Sequence, residues 1–247
     1  MGRLSRTLTS VSMGTIHNFP PGEQSMKKAF ITVLALVLLP AFVAAQDKQL
    51  TDQEKADGWV SIFNGETLDG WKGNEPEEGF YVKDACITGK GGRNHLFFME
   101  ELGDFELKID CKINEGGNSG LYFHSPWVEG NWPVQGFELQ INASHTDPVK
   151  TGSLYNIISF PKAPHGDNEW FTYYITVKGS VLTVRINDVV LYTYSDPVEK
   201  ATKNAPENMV KPITEANKRI SQKGYIALQQ HDPKSIPQFK NIFLKKL

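Results

Sequence analysis

The 247-residue chain has only two cysteines, Cys86 and Cys111. It therefore has at most one internal disulfide. Charge of one sign is also missing: 26 Lys and Arg stand against 28 Asp and Glu, for a formal net charge of −2. That balance excludes the basic stripe of a nucleic-acid binder. There is no repeat period and no low-complexity tract, and helical periodicity is almost absent. A spanning helix needs about 20 apolar residues. The apolar run from Ala29 to Ala44 is shorter and is interrupted at Thr32 and Pro40.

What is present is a leader and a β-rich body. Met26-Lys27-Lys28 opens the apolar run, Val43-Ala44-Ala45 supplies small residues, and Gln46-Asp47-Lys48 turns polar. This is the pattern of a secretory signal peptide over 26–45, cut after Ala45. No Cys stands at the cut to take a lipid. Residues 1–25 read as an over-extended gene start or a disordered leader, and 46–57 as an N-terminal linker. The expectation is an exported bacterial protein, periplasmic or secreted, with no membrane contact after cleavage. Export permits a Cys86–Cys111 disulfide. Cys111 also shares a strand face with Phe105, Leu107, Ile109 and Ile113, which suits a buried free thiol equally well.

Aromatic residues make up 11% of the chain, as expected of a β-rich protein. The cleanest alternation is Phe105 to Ile113, apolar on one face and Glu106, Lys108, Asp110 and Lys112 on the other. Phe80 to Val82 and Ala85 to Ile87 read as a hairpin. Thr172–Val177, Val181–Ile186 and Val189–Tyr194 read as three strands joined by tight turns. Leu121–His124, Tyr225–Gln230 and Phe239–Leu244 add further strands. Residues 196–222 are polar, with three prolines, and read as a surface insertion. About a dozen short strands with almost no helix predict an all-β, two-sheet antiparallel jelly-roll sandwich over 58–247.

Gly136 to Asn142 is the most informative strand. Side chains alternate across it, so Phe137, Leu139 and Ile141 face a core. Glu138, Gln140 and Asn142 face the other way, as one carboxylate and two amides. Similar polar rows come from Tyr122 and His124, and from Gln229 and His231. Together these would line a cleft able to bind sugar hydroxyls, with Trp127, Trp132 and Tyr155 covering the apolar face of a pyranose ring. His95 and His165 read as surface residues.

Several segments resemble the 3-keto-disaccharide hydrolase domain family. They are Trp59 to Trp71, Asp104-Phe105-Glu106-Leu107, Gly117-Asn118-Ser119-Gly120, Gly136 to Gln140, Thr151 to Tyr155, Gly224 to His231 and Phe239-Lys240-Asn241-Ile242. The resemblance spans Gly58 to Leu247. It implies a concanavalin-like jelly roll, export, and action on sugars oxidised to a ketone at C3. Three positions depart from the family's pattern: His124 and Lys240 stand where Arg is usual, and Asn142 where Asp is usual.

The residues permit such chemistry. Ordinary glycoside hydrolysis needs two carboxyl groups across the scissile bond, and the predicted cleft offers only Glu138. A ketone at C3 acidifies the C2 proton, so one base and one oxyanion stabiliser suffice for β-elimination at C1. Glu138 or His231 would be the base. His124, Lys240 or a divalent metal ion would stabilise the oxyanion. Two imidazoles and the carboxylate could hold such a metal if they converge. The candidate catalytic residues are therefore Glu138, His231 and His124. The candidate binding residues are Gln140, Asn142, Gln229, Tyr122, Trp127, Tyr155 and Lys240. Two alternatives stay open: a lectin-like binding module, and a glucanase-type hydrolase with a second acid from Glu129 or Asp147.

Overall fold

Phe105, Leu107, Ile109 and Cys111 form the buried side of a strand at the middle of the larger of two sheets. The computed structural model describes residues 48–195 and 223–247. The leader, the signal peptide at 26–45 and the insertion at 196–222 lie outside the described residues. Within these, one short helix and thirteen strands follow in order: α1 (Asp52–Ala56), β1 (Val60–Ser61), β2 (Trp71–Gly73), β3 (Phe80–Lys83), β4 (Cys86–Gly89), β5 (Asn94–Leu102), β6 (Phe105–Lys112), β7 (Ser119–Ser125), β8 (Phe137–Ile141), β9 (Phe171–Lys178), β10 (Val181–Ile186), β11 (Val189–Ser195), β12 (Gly224–Gln230) and β13 (Gln238–Lys246).

The helix lies in the predicted linker and starts on a capping box. Thr51 accepts from the Glu54 amide, and the Glu54 carboxylate accepts from the Thr51 amide. Each partner satisfies an orphan donor of the first turn.

All strand pairs are antiparallel. The larger sheet runs β11-β10-β9-β6-β13-β4-β3, with β1 added on β13, and the smaller runs β2-β5-β12-β7-β8. The two sheets form a jelly-roll sandwich, as the strand pattern predicts. Leu121, Phe123, Phe137, Leu139 and Ile141 of the smaller sheet meet Phe105, Leu107, Ile109, Tyr173 and Ile175 of the larger one in a single core. A fully buried Leu, Ile or Phe stabilises by roughly 1.5–3 kcal/mol, so this contact holds the sheets face to face. The apolar side of β8 is thereby committed to the core, and its polar side turns outward on the smaller sheet.

The predicted hairpin at 80–87 forms as β3 and β4. Its turn, Asp84-Ala85, has positive φ at both positions, the mirror-image turn that matches strand twist. Cys86 and Cys111 are not joined in a disulfide; both are buried, on β4 and β6 with β13 between them. Residues 152–158 make only isolated bridges at Leu154.

Candidate functional site

The outer face of the smaller sheet carries a pocket of about 470 Å³. That size suits a small ligand. Its floor is built from strand register. Tyr122 on β7 pairs with Glu138 on β8, and Gly120 pairs with Gln140. Ala227 on β12 pairs with Tyr122. Alternation then places Tyr122, Glu138, Gln140 and Gln229 on one outward face. Tyr155, Trp132, Asp147 and His231 complete the walls.

Glu138 is the centre of a short hydrogen-bond chain. The Gln229 amide donates to the Tyr122 hydroxyl at 2.9 Å and, more weakly, to Glu138 Oε1 at 3.4 Å. The Tyr122 hydroxyl also hydrogen-bonds the carboxylate. Burial pushes the Glu138 carboxyl up to about 7, and the charge of Asp147 adds to this. The bonds from Tyr122 and Gln229 oppose the rise. Burial also drives the Tyr122 hydroxyl well above its ordinary range, so it stays a donor. A carboxyl poised near neutrality can both take and return a proton. On the same floor, Gln140 is held by Asn118, whose Oδ1 accepts from its amide at 3.1 Å.

His231 stands on the rim just after β12. Its Nδ1 meets Asp232 Oδ2 at 2.9 Å. That contact fixes the ring and leaves Nε2 for other partners. Burial works against the Asp232 charge, yet bonds from His231, the Lys234 amide and Ser235 hold its carboxyl below the ordinary range. The His231 ring packs between Trp132, 5.3 Å away, and His145, 5.9 Å away.

Glu138, Gln140, Tyr122, Gln229, Tyr155 and His231 thus come together, and four predicted site residues do not. His124 is turned away. Two residues of β7, Phe123 and His124, oppose the single residue Ile226 between the pairs Tyr225–Ser125 and Ala227–Tyr122. This β-bulge breaks the alternation. With φ +50°, His124 is buried against Phe105 and Phe123, and its Nε2 meets the Gly103 carbonyl at 2.8 Å. Lys240 belongs to β13 in the other sheet, where its ammonium lies 5.1 Å from the Trp170 ring centroid. Asn142 is fully buried and shapes the following loop. Its amide donates to the carbonyls of Asp147 and Val149, and its oxygen accepts from Lys150. Trp127 lies beyond the pocket on the same sheet face, with its ring 5.0 Å from Phe97 and the Lys72 ammonium over it.

Of the two histidines expected at the surface, His95 is not there. His95 is fully buried beside Tyr122 and Trp132. His165 stacks on Phe171 at 4.1 Å and meets Thr151 through Nε2. The role of Asp232 was missed, although an acid next to a candidate base was a visible signal.

The metal expectation required Glu138, His231 and His124 to converge, and with His124 on the core side that set does not meet. Among the described residues no group of three or more His, Cys, Asp or Glu is placed to hold an ion. A second cleft, of about 530 Å³ near Lys48, Asn64 and Asn241, has no acidic or histidine side chain in its walls.

The fold defines a jelly-roll sandwich with an open polar pocket on the outer face of its smaller sheet. Residues 58–245 match the family described as the 3-keto-alpha-glucoside-1,2-lyase-like domain. The chain belongs to that family. A curated relative from Bacteroides thetaiotaomicron, named 3-keto-disaccharide hydrolase, is 29% identical over 181 residues, which cover 60% of this chain and 62% of the relative. The chain therefore spans less than two thirds of that relative's length. A solved structure from Parabacteroides distasonis, described as a candidate glycosyl hydrolase, is 26% identical with a TM-score of 0.67. It covers 81% of this chain and 99% of its own. A second from the same organism, at 20% identity and a TM-score of 0.59, covers 76% and 99% and attests to the fold.

Proposed function

We propose that the pocket cleaves the glycosidic bond of sugars bearing a ketone at C3, in an exported protein whose signal peptide is residues 26–45. The observation that carries this reading is the carboxyl on the pocket floor, Glu138, raised to about 7 among amides and a tyrosine. Family membership agrees with it.

Glu138 removes the C2 proton, and the electron pair forms the C1–C2 double bond as the C1–O bond breaks. Elimination needs only this one base, because the ketone stores the negative charge as an enolate. Gln140 and Tyr155 stand on the same pocket surface as donors for the enolate oxygen. His231, oriented by Asp232, returns a proton to the leaving oxygen. Addition of water at C1 gives net hydrolysis. Trp132 and Tyr155 supply flat surfaces for the ring.

One observation favours a second reading. Asp147 lines the same pocket and its charge acts on Glu138, so a two-carboxylate hydrolase of the glucanase type has its second acid at hand. Incubation with a 3-keto-glucoside and with the plain glucoside separates the two. Cleavage of the keto sugar alone supports elimination, and equal cleavage of both supports the acid pair. No cleavage of the keto sugar at any pH sinks the first proposal. Export is tested by N-terminal sequencing of the secreted protein, with Gln46 as the expected first residue.

A further inference from the structure

The polar face of the smaller sheet continues past the open pocket. His95 and Gln229 are register partners on β5 and β12, so their side chains project from the same face as neighbours. His95 is fully buried and Gln229 is 2% exposed. Neither ring nitrogen of His95, nor Oε1 of Gln229, has a hydrogen-bond partner among the described residues. Buried polar atoms are ordinarily paired. The other buried histidine, His124, obeys the rule through the Gly103 carbonyl. Three unpaired atoms on neighbouring side chains therefore leave hydrogen-bonding capacity that a group outside the chain could take up.

Trp132 closes that place. Its ring lies 5.3 Å from His95 and 5.3 Å from His231, and it lines the open pocket whereas His95 does not. The surrounding loop is fixed independently of the ring. Buried Asn74 donates to the carbonyls of Val128 and Asn131, and Arg93 donates to that of Gly130. The indole is held by ring contacts and by the Arg93 guanidinium 5.5 Å from its centroid. None of the loop's hydrogen bonds runs through the indole, so turning the ring would leave them intact.

The donor count identifies the missing group. A neutral imidazole offers one donor and one acceptor, and Oε1 offers a second acceptor. Burial, reinforced by the charges of Arg93 and His231, holds the His95 ring down to about 3, so it is neutral in ordinary buffers. One donor and two acceptors repel a carboxylate or phosphate and suit hydroxyls, which give and receive at once. We propose that His95 and Gln229 form an inner sub-pocket for a hydroxyl pair of the bound sugar, opened when Trp132 turns to lie against the apolar face of the ring. This deepens the carbohydrate reading of the pocket and rests on it.

Nitrogen-15 spectra of histidine-labelled protein test it, with the His95 signals assigned through His95→Gln and methyl glucoside and a 3-keto-glucoside as probes. Both His95 ring nitrogens should shift saturably with sugar. A set of monodeoxy analogues should include one that binds wild type about three- to tenfold more weakly than its parent, the scale of one neutral hydrogen bond. That loss should vanish in His95→Ala. Unmoved His95 signals at saturating sugar, with the His231 signals shifting, would overturn the sub-pocket and leave the carbohydrate reading intact. A crystal structure with one ordered water bridging His95 and Gln229 both with and without sugar would overturn it too. Should no sugar move any pocket signal, both fall together. The wild-type spectra decide the matter even where His95→Ala folds poorly.

Discussion

The Glu138 carboxylate lies over the bare α-carbon of Gly120: a β-carbon built there would stand 2.5 Å from Oε1. Gly120 and Glu138 sit on adjacent strands, two residues out of register and so on the same face. The missing side chain lets the carboxylate lie down across β7 toward Tyr122 and Gln229. Gly120 is absent from the positive-φ residues, so alanine fits its backbone. Gly120→Ala should therefore fold while pushing Glu138 off its partners. We expect kcat on a 3-keto-glucoside to fall roughly 100-fold or more, the scale of a misplaced general base. The melting temperature should move by only a few degrees. Wild-type kcat in this variant would remove Glu138 from the base role.

The raised carboxyl predicts a pH profile. A base must be ionised, so kcat/KM should rise with pH and level off above about 7. Glu138→Gln should abolish the rising limb together with most of the rate. Stability moves the other way. The folded pKa lies above the ordinary 4.5, so Glu138 contributes most below pH 4.5, and that contribution is lost as pH rises through 7. Above pH 7 Glu138→Gln should be the more stable protein, by up to about 3 kcal/mol. Denaturant melts at pH 5 and pH 8 would show it, and an identical difference at both values would contradict the shift.

Tyr122 tunes that carboxyl. Its hydrogen bond lowers the Glu138 pKa against the effect of burial. Tyr122→Phe removes the hydroxyl and keeps the ring against His95. The rising limb of kcat/KM should then shift to higher pH, with the plateau rate less affected. A shift to lower pH would mean that another group sets the limb.

Much of this site was legible from alternation alone. Phe137, Leu139 and Ile141 had to share a face, so Glu138 and Gln140 had to share the other. The residues that failed did so where local pattern yields to partner strands. His124 flips because β7 carries an extra residue against β12, which is visible only once the strands are paired. Lys240 sits in the other sheet because β13 pairs β6 and β4, a matter of strand order. His95 is buried because Trp132, distant in sequence, covers it. Alternation alone continues the polar row to Asn142, but the chain turns there and the loop carbonyls claim its amide. Alternation fixes faces, whereas register, strand order and loop return decide what lies on them.

The Asp232–His231 contact predicts an orienting role. Asp232→Asn keeps the oxygen that accepts from the Lys234 amide and loses the charge beside Nδ1. The expected result is a fall in kcat of roughly tenfold to a hundredfold with KM little changed, because orientation of an acid acts on the chemical step. A variant that raises KM and leaves kcat alone would make His231 a binding residue.

His124 provides the opposite test. It is 3% exposed, packed against Phe105 and Phe123, and joined to the Gly103 carbonyl. His124→Ala opens a cavity in the core and strands that carbonyl. The cost should be about 2–3 kcal/mol of stability, read as a lower denaturant midpoint. Because the ring faces away from Glu138, kcat and KM per folded molecule should stay at wild-type values below the melting range. A large loss of kcat with an unchanged midpoint would return His124 to the chemistry. It would also require the bulge in β7 to straighten during turnover, since the backbone as it stands aims the imidazole into the core.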